Sequence, residues 1–312
     1  MTRAHIARIV FALGLLLAAA PFTSPGLALL AGIALGLSLP HPFPQATHRW
    51  TTRLLQASVV GLGFGMNLSR VLEAGRAGFL YTALSIVLVI ALGLLLGHLL
   101  KIARNVRLLI SAGTAICGGS AIAALGPLLG ADSEEMTVSL GAVFLLNSVA
   151  LFVFPKIGAA AGLTQTQFGL WSALAIHDTS SVIGATLQYG AAALAVGATV
   201  KLARALWIVP VSFGAAAWRK SNAKVRIPWF ILLFCAAAAI NTVLPPSAAP
   251  ALGLLKTVAI SALSVTLFLI GSTVSRTALR RVGPRPLLHA LLLWLAVATV
   301  SFTLIRSGRL PL

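Results

Sequence analysis

The chain has 312 residues, of which 59% are hydrophobic and 9% are charged. Soluble domains carry roughly 25% charged residues, so this composition excludes an ordinary water-covered globule. The formal net charge is +18, but the Lys and Arg residues form short clusters between apolar runs, which is typical of membrane proteins and not of a nucleic-acid-binding face. We therefore expect a multi-pass protein of the cell (inner) membrane, embedded in the lipid bilayer and without a nucleic-acid partner.

Apolar runs follow one another along the chain, each about 20 residues long, enough to cross a hydrocarbon core of ~30 Å. The first run follows Arg3 and Arg8 and has features of a signal peptide, but a second run comes directly after it, which favours a membrane helix. We predict a single integral membrane domain over residues 1–312, of the all-α class because backbone groups in lipid must be satisfied within helices. The eleven predicted crossings are 6–21, 26–40, 53–69, 77–100, 107–129, 136–155, 166–189, 191–217, 227–245, 253–275 and 285–305.

The positive residues also predict the orientation of these crossings. With the N-terminus in the cytoplasm, the acidic group of Asp132, Glu134 and Glu135 falls outside. The C-terminus is then also outside, because the number of crossings is odd. The predicted cytoplasmic loops hold His48, Arg49 and Arg53; Lys101, Arg104 and Arg107; Lys156; Arg219, Lys220, Lys224 and Arg226; and Arg276, Arg280, Arg281 and Arg285.

An internal repeat follows the pattern G-x-[NT]-[LV]-S-R. Its two copies run from Gly65 to Arg70 and from Gly271 to Arg276, and each ends an apolar run. In the predicted topology the two runs cross in opposite directions, which indicates the inverted repeats of secondary transporters. Two similar helix ends that arose by chance remain the alternative.

The first candidate binding motif lies in the crossing at 107–129. Paired glycines in mid-membrane weaken a helix by about 1 kcal/mol each relative to Ala, which predicts an unwound stretch that lines a cavity. The freed N-terminus of the second half-helix is suited to an anion. The alternative is close helix packing through small residues. The candidate substrate-binding residues are Thr114, Cys117, Gly118, Gly119 and Ser120.

The second candidate motif is a run of five polar residues in the crossing at 166–189. Asp178 is the one acid within an apolar crossing, and ionisable groups in the bilayer mark functional sites by default. The segment 179–185 echoes 118–124, which favours a second broken helix. The alternative is that the run is a loop. We interpret His177, Thr179, Ser180 and Ser181 as substrate-binding and Asp178 as ion-coupling.

Lys201 and Arg204 lie three residues apart and share a helix face, deep within the run 191–217. Both need a partner there, and two cations exceed the single acid Asp178. The surplus of positive charge suits an anionic substrate, so both are added to the substrate-binding candidates. A structural ion pair with Asp178 is the alternative. Asn147, in the run 136–155 that follows the first motif, is a further ion-coupling candidate, although a lone amide often serves as helix-to-helix contact.

Three motifs in order carry a family resemblance. They are Gly-Thr-Ala-Ile-Cys-Gly-Gly-Ser-Ala-Ile-Ala-Ala at 113–124, His-Asp-Thr at 177–179 and Val-Lys-Leu-x-Arg at 200–204. Together they resemble the YeiH, or UPF0324, family of bacterial membrane proteins, which is also labelled as sulfate exporters. Ser181 stands where that family usually has Gln, so the substrate preference of this chain is open.

The resemblance implies a fold like that of bile-acid symporters and sodium/proton antiporters, with about 10–11 transmembrane helices, inverted repeats, and panel and core helices interleaved. Two discontinuous helices should then cross at mid-membrane in opposite directions. The predicted runs 107–129 and 166–189 have the same direction, however. The run 253–275, with Ser261, Ser264 and Thr266, is therefore an alternative second crossing helix.

These patterns favour a secondary transporter of a small anion, of the sulfate or organic sulfonate/carboxylate class, coupled to a proton or sodium gradient. The alternatives are a passive anion channel and an intramembrane enzyme that uses Cys117 or the pair His177 and Asp178. We expect no enzyme activity, cofactor or metal, and a homodimer remains open. No G-x-x-x-x-G-K-[ST] motif is present, which argues against ATP-driven transport by this chain alone.

Overall fold

A computed structural model describes residues 3–219, 228–275 and 282–310 of the chain. The described residues form fourteen α-helices and no strand. In chain order they are α1 (Arg3–Ala19), α2 (Pro25–Ser38), α3 (Pro44–Gly63), α4 (Leu68–Leu99), α5 (Arg104–Ala115), α6 (Gly119–Leu129), α7 (Ser133–Ala160), α8 (Gln165–Ala175), α9 (Thr179–Tyr189), α10 (Ala191–Leu206), α11 (Ile208–Arg219), α12 (Trp229–Val243), α13 (Ala249–Ser272) and α14 (Pro284–Arg306).

Five helical stretches among the described residues are long and apolar enough to cross a membrane. They are Thr82–Leu99, Ser133–Ala160, Ala191–Trp218, Ala249–Ser272 and Pro284–Arg306. Several shorter apolar helices accompany them. The predicted class, an all-α polytopic membrane protein, is confirmed. The run 253–275 lies mostly in α13, which is continuous from Ala249 to Ser272, so the alternative that made it a discontinuous helix is wrong.

The chain divides into two compact units. The first unit consists of the described parts of Met1–Val71 and Trp229–Thr277, and the second of the described parts of Leu72–Pro228 and Ala278–Leu312. Each unit is therefore assembled from two separate stretches of sequence.

Glycines allow the helices of the first unit to pack closely. A Cβ atom at Gly32 of α2 would collide with the backbone of α13 at Phe268, and one at Gly36 would lie 2.6 Å from the carbonyl oxygen of Ser272. Gly271 of α13 approaches the backbone of α2 at Leu29 in the same way. Small residues at both sides of a contact let helix backbones approach in lipid. The backbones of α2 and α13 are thus in close contact.

The two copies of the sequence repeat lie at opposite ends of the first unit. Gly65 follows α3 and packs against Lys256, near the start of α13. Ser272, at the end of α13, lies 3.0 Å from the Nε2 atom of His41, which precedes α3. Helices α3 and α13 are therefore antiparallel, as the predicted inverted repeat requires.

The second unit contains two re-entrant hairpins, where the sequence predicted two crossings. The Nδ2 atom of Asn105, at the start of α5, donates to Glu135 Oε2 at the start of α7, over 2.8 Å. The pair α5 and α6 therefore returns to the end at which it entered.

The second hairpin returns in the same way. Tyr189, the last residue of α9, donates its hydroxyl to the carbonyl oxygen of Leu163 over 2.7 Å and stacks on Phe168. Each half-helix has 11 or 12 residues and spans about 17 Å at 1.5 Å per residue, roughly half of a ~30 Å hydrocarbon core.

These hairpins change the predicted sides of the loops. Helix α7 starts at the end of the unit where α5 begins, so Asp132, Glu134 and Glu135 lie at the same end as Lys101 and Arg104. Their predicted placement on opposite sides is wrong. Lys156, near the far end of α7, lies at the other end and not with Lys101. Lys220, Lys224, Arg226, Arg276, Arg280 and Arg281 lie outside the described residues, as do the side chains of His48, Arg70 and Arg219.

Candidate binding site at the hairpin tips

The tips of the two hairpins meet inside the second unit. Gly118 in the first tip has φ +66°, in the left-handed region that favours glycine. A Cβ atom there would lie 3.2 Å from the Cβ of Asp178 and 3.3 Å from its backbone nitrogen, in the second tip. Gly118 is thus required both for its backbone conformation and for the close approach. The two motifs that the sequence singled out are in contact.

The depth of the tips follows from Asn147, which lies near the midpoint of the 28-residue helix α7. Its Oδ1 atom accepts a hydrogen bond from the backbone N–H of His177 over 3.0 Å. The hairpins enter from opposite ends of α7, since α5 begins beside its first turn and α8 follows its last. The tips therefore meet at the middle of a membrane-spanning helix.

The first tip leaves the N-terminus of α6 open. Gly118 occupies the N-cap position and offers no side-chain acceptor to the first-turn N–H groups. Gly119 is partly exposed and Ser120 is exposed. The buried thiol of Cys117 interacts with the amide of Ala121 and the hydroxyl of Ser120. N–H groups at a helix start carry a partial positive charge, so this end is suited to an anion.

The second tip fills the equivalent position with a carboxylate. Asp178 is the N-cap of α9, and its Oδ1 atom accepts from the N–H of Ser181 over 2.7 Å and from the hydroxyl of Ser180 over 2.6 Å. Its Oδ2 atom accepts from the Ser181 hydroxyl over 2.9 Å. Asp178 and residues 179–181 are all buried. Three hydrogen bonds thus hold the side chain of Asp178 at the N-cap of α9.

The internal echo between the tips is real, but its register is shifted by one residue. The sequence comparison placed 118–124 against 179–185. The structure instead pairs the N-cap residues Gly118 and Asp178, followed by Gly119–Leu129 and Thr179–Tyr189. In this register Ser120 corresponds to Ser180. Capping geometry, which the residue types alone did not show, determines the pairing.

Lys201 and Arg204 on α10 are completely buried and bind backbone carbonyl oxygens. Lys201 Nζ donates to Ile176 over 2.7 Å and to Ala173 over 3.4 Å. These carbonyl groups belong to the end of α8, where the last turn of a helix leaves acceptors without partners. Lys201 thus caps a half-helix, which differs from the ion pair with Asp178 considered above.

Arg204 joins both hairpins. One terminal nitrogen donates to the carbonyl of Leu174 over 2.6 Å, in α8. The other donates to Thr114 over 3.2 Å and Nε donates to Ala115, both in α5. The planar guanidinium presents its donors in a fixed fork, so one side chain holds two half-helix ends in register.

Several buried polar atoms beside the tips have no hydrogen-bond partner in the structure. These include both ring nitrogens of His177 and the Nδ2 atom of Asn147. The polar group beside the His177 ring is the backbone carbonyl of Val143. Buried polar atoms without a partner are rare in folded proteins and point to water or a ligand. The others near the tips are the hydroxyl oxygens of Thr114, Ser172 and Thr199.

Ser172 and Thr199 were missed by the sequence reasoning. Thr199 lies two residues before Lys201 in the sequence. The deep position predicted for Lys201 could therefore have indicated that Thr199 is also buried near the site. Ser172 gives no such signal in a helix that is otherwise apolar.

Cys117 and His177 were considered as a nucleophile and its base, which requires a hydrogen bond between them. The structure contains no such contact, because neither ring nitrogen of His177 has a partner.

Comparisons with known proteins place this geometry in a family. The model of a family described as conserved hypothetical protein 698 matches residues 3–290. A UPF0324 membrane protein of Bdellovibrio bacteriovorus is 49% identical, over 99% of this chain and 97% of the relative. One from Geobacter sulfurreducens is 48% identical over 98% of both chains, and one from Bacteroides thetaiotaomicron is 46% identical over 89% of this chain and 84% of the relative. No solved structure matches the chain. With relatives this similar over nearly its whole length, the chain belongs to the UPF0324 family of membrane proteins.

Proposed function

We propose that the protein is a secondary transporter of a small anion, driven by a proton or sodium gradient. The observation that carries this proposal is the open N-terminus of α6 at mid-span, in a core where two buried basic residues, Lys201 and Arg204, accompany the single buried acid Asp178 among the described residues. Broken helices whose N-termini point at a midplane site bind anionic substrate groups in transporters. The substrate class is sulfate or an organic sulfonate or carboxylate.

The anion binds at the first-turn N–H groups of α6. Gly119 and Ser120 are accessible there, whereas the corresponding start of α9 already holds the carboxylate of Asp178. The hydroxyl of Ser120 adds a donor, and Lys201 and Arg204 supply a positive field from the ends of α5 and α8. The two cations therefore act through charge and positioning rather than by direct ligation.

Inverted hairpins supply a route for alternating access. One hairpin enters from each end of α7, so a shift of the helices around the tips exposes the N-terminus of α6 to one side at a time. Asp178 and Asn147 fix the second tip, and the predicted ion-coupling role of both residues rests on this position. The polar atoms without partners at His177 and Asn147 lie where a coupling ion or water would bind.

The orientation follows from the charges of the second unit. Lys101, Arg104, Arg107 and Arg285 lie at the end where α5, α7 and α14 begin. Cytoplasmic loops carry an excess of Lys and Arg, so this end of the protein faces the cytoplasmic side of the inner membrane. The two re-entrant hairpins remove two of the eleven predicted crossings, which leaves the parity unchanged and the N-terminus still inside.

Uptake into proteoliposomes tests the proposal, with sulfate, methanesulfonate and acetate as labelled probes under an imposed proton or sodium gradient. Ser120→Asp places a carboxylate at the start of α6, as Asp178 does at α9, and should abolish uptake of the transported probe. Ser120→Asn is the neutral control and should retain most of it. Uptake by Ser120→Asp at the wild-type rate, or no gradient-driven uptake of any probe by the wild type, contradicts the proposal.

A further inference from the structure

A cavity lies at the end of the second unit, away from the hairpin tips. Its volume is about 320 Å³. The apolar part of its lining comes from Ile102, Val106, Val138, Val282 and Pro286, and the charged part from Lys101, Glu134, Glu135 and Arg285. None of these residues belongs to the proposed transport site.

The cavity has the depth of lipid headgroups. Lys101 follows the end of α4, Glu134 lies in the first turn of α7, and Arg285 lies in the first turn of α14. Three membrane-spanning stretches therefore end or begin around it. Leu99 and Leu288, within one turn of the lining along α4 and α14, are exposed apolar side chains. Acyl chains attached to a group in the cavity would meet a lipid-facing surface.

Lys101 is held in a conformation that suits glycine better. Its φ is +55°, the one positive φ among non-glycine residues in the described part of the chain. The turn after α4 requires this conformation, because Ile102 donates its N–H to Gly97 and Lys101 donates to His98. A lysine at this position retains strain that glycine would relieve, which indicates that the side chain itself is used.

The charged groups of the cavity differ in whether they have partners. Glu135 is occupied, since its Oε2 atom accepts from Asn105 Nδ2 over 2.8 Å and from the N–H of Asp132 over 3.1 Å. Among residues 3–219, 228–275 and 282–310, no hydrogen bond or ion pair satisfies the side chains of Lys101, Glu134 or Arg285. All three side chains are exposed, so two cations and one carboxylate are accessible to a ligand, while the four charged side chains of the lining balance to zero.

We propose that this cavity binds the headgroup of a phospholipid with a primary ammonium, that is, a phosphoethanolamine group. Its phosphate lies between Lys101 and Arg285, and its ammonium donates to Glu134. A zwitterion suits a lining without net charge, whereas an anionic glycerol headgroup would leave Glu134 without a cation. A trimethylated headgroup keeps the positive charge but has no N–H to donate.

Thermal unfolding of the purified full chain in nanodiscs tests this assignment. The discs contain phosphatidylethanolamine, phosphatidylcholine or phosphatidylglycerol with identical acyl chains, and one arm adds soluble phosphoethanolamine to phosphatidylcholine discs. We expect phosphatidylethanolamine to raise Tm at a roughly tenfold lower mole fraction than phosphatidylcholine. The factor corresponds to the one charge-assisted hydrogen bond to Glu134 that phosphatidylcholine cannot form. Equal shifts for the two lipids, a preference for phosphatidylglycerol, or a full shift from soluble phosphoethanolamine each overturn the proposal.

Two variants separate the headgroup site from general stability. Glu134→Gln should remove the difference between phosphatidylethanolamine and phosphatidylcholine, whereas Glu73→Gln, an equal charge change at the start of α4, should keep it. Lys101→Gly should raise Tm in phosphatidylcholine, because strain is relieved, and reduce the added shift from phosphatidylethanolamine. If Lys101→Gly keeps the full lipid shift, or Glu134→Gln keeps the discrimination, the site does not bind this headgroup.

Discussion

The hairpins α5–α6 and α8–α9 share one architecture but differ at one end. Each is a pair of half-helices with a three-residue tip, and each has the C-terminus of its first half-helix bound by a buried cation from α10. The start of the second half-helix is open at Gly118 and closed by the carboxylate of Asp178. The hairpin α5–α6 thus offers the candidate anion site, whereas the hairpin α8–α9 supports it. One N-cap residue decides which role a hairpin has.

The cations form the part that both hairpins share, and their loss should have the largest effect. Arg204→Ala leaves carbonyl groups of both α5 and α8 without donors, at a cost of about 1–3 kcal/mol for each buried acceptor left unsatisfied. We expect no monodisperse folded protein after detergent extraction, measured by size-exclusion chromatography. Arg306→Ala, at an exposed arginine, should behave as wild type. A folded Arg204→Ala protein of normal Tm would show that the hairpins do not depend on this clamp.

Contact between the tips is the next feature to test. Gly118→Ala adds a methyl group against Asp178 and forces φ +66° on a residue with a Cβ, so we expect a loss of about 2–4 kcal/mol. Gly283→Ala is the control, because its φ of +72° and ψ of 161° also lie outside the left-handed helical region, as does the ψ of −125° at Gly118, and nothing lies closer than 4.0 Å to the added Cβ. The difference in Tm between the two variants measures the tip contact. Equal losses would mean that the tips are not in close contact.

The attachment of the second tip to α7 should have a smaller effect. Asn147→Ala removes the acceptor for the backbone N–H of His177, which leaves a buried donor unsatisfied at a cost of about 1–3 kcal/mol. Asn147→Asp keeps an oxygen at this position and controls for loss of the acceptor. Hydrogen exchange of residues 176–179 should accelerate in the alanine variant alone. Unchanged exchange in Asn147→Ala would argue against this anchor.

Neutralising Asp178 should have the smallest effect on stability. Asn is nearly as good an N-cap as Asp, so Asp178→Asn should cost about 1 kcal/mol or less and leave the hairpin intact. Gradient-driven uptake by this variant decides between its two roles. Uptake retained within about tenfold identifies Asp178 as a cap, whereas abolished uptake with an unchanged Tm identifies it as the coupling residue.

Much of the architecture could be predicted from residue types, because the relevant physics is local. Paired glycines at 118 and 119 predicted one break, and the polar run at 177–181 predicted the other. The repeat at Gly65 and Gly271 predicted antiparallel helices. In each case, a backbone preference or a polar group in an apolar run carries the signal.

The path of the hairpins could not be predicted in the same way. A run of 20 apolar residues has the same composition whether it crosses the membrane or turns back after one half, so hydropathy assigned both as crossings. The sides of Asp132 and Lys156 were wrong for that reason. The partners of Lys201 and Arg204 were also hidden, because main-chain carbonyl groups are identical at every residue and only the fold brings them to a cation.

The labelling rates of Ser120→Cys and Ser180→Cys test the central contrast between the hairpins most directly. In a Cys235→Ser background, with Cys117 buried, the protein in liposomes is treated with a negatively charged and a positively charged methanethiosulfonate reagent of similar size. We expect that Ser120→Cys reacts, faster with the anionic reagent, and that Ser180→Cys reacts with neither. Faster reaction of Ser180→Cys, or a preference of Ser120→Cys for the cationic reagent, would contradict an open anion site at the start of α6.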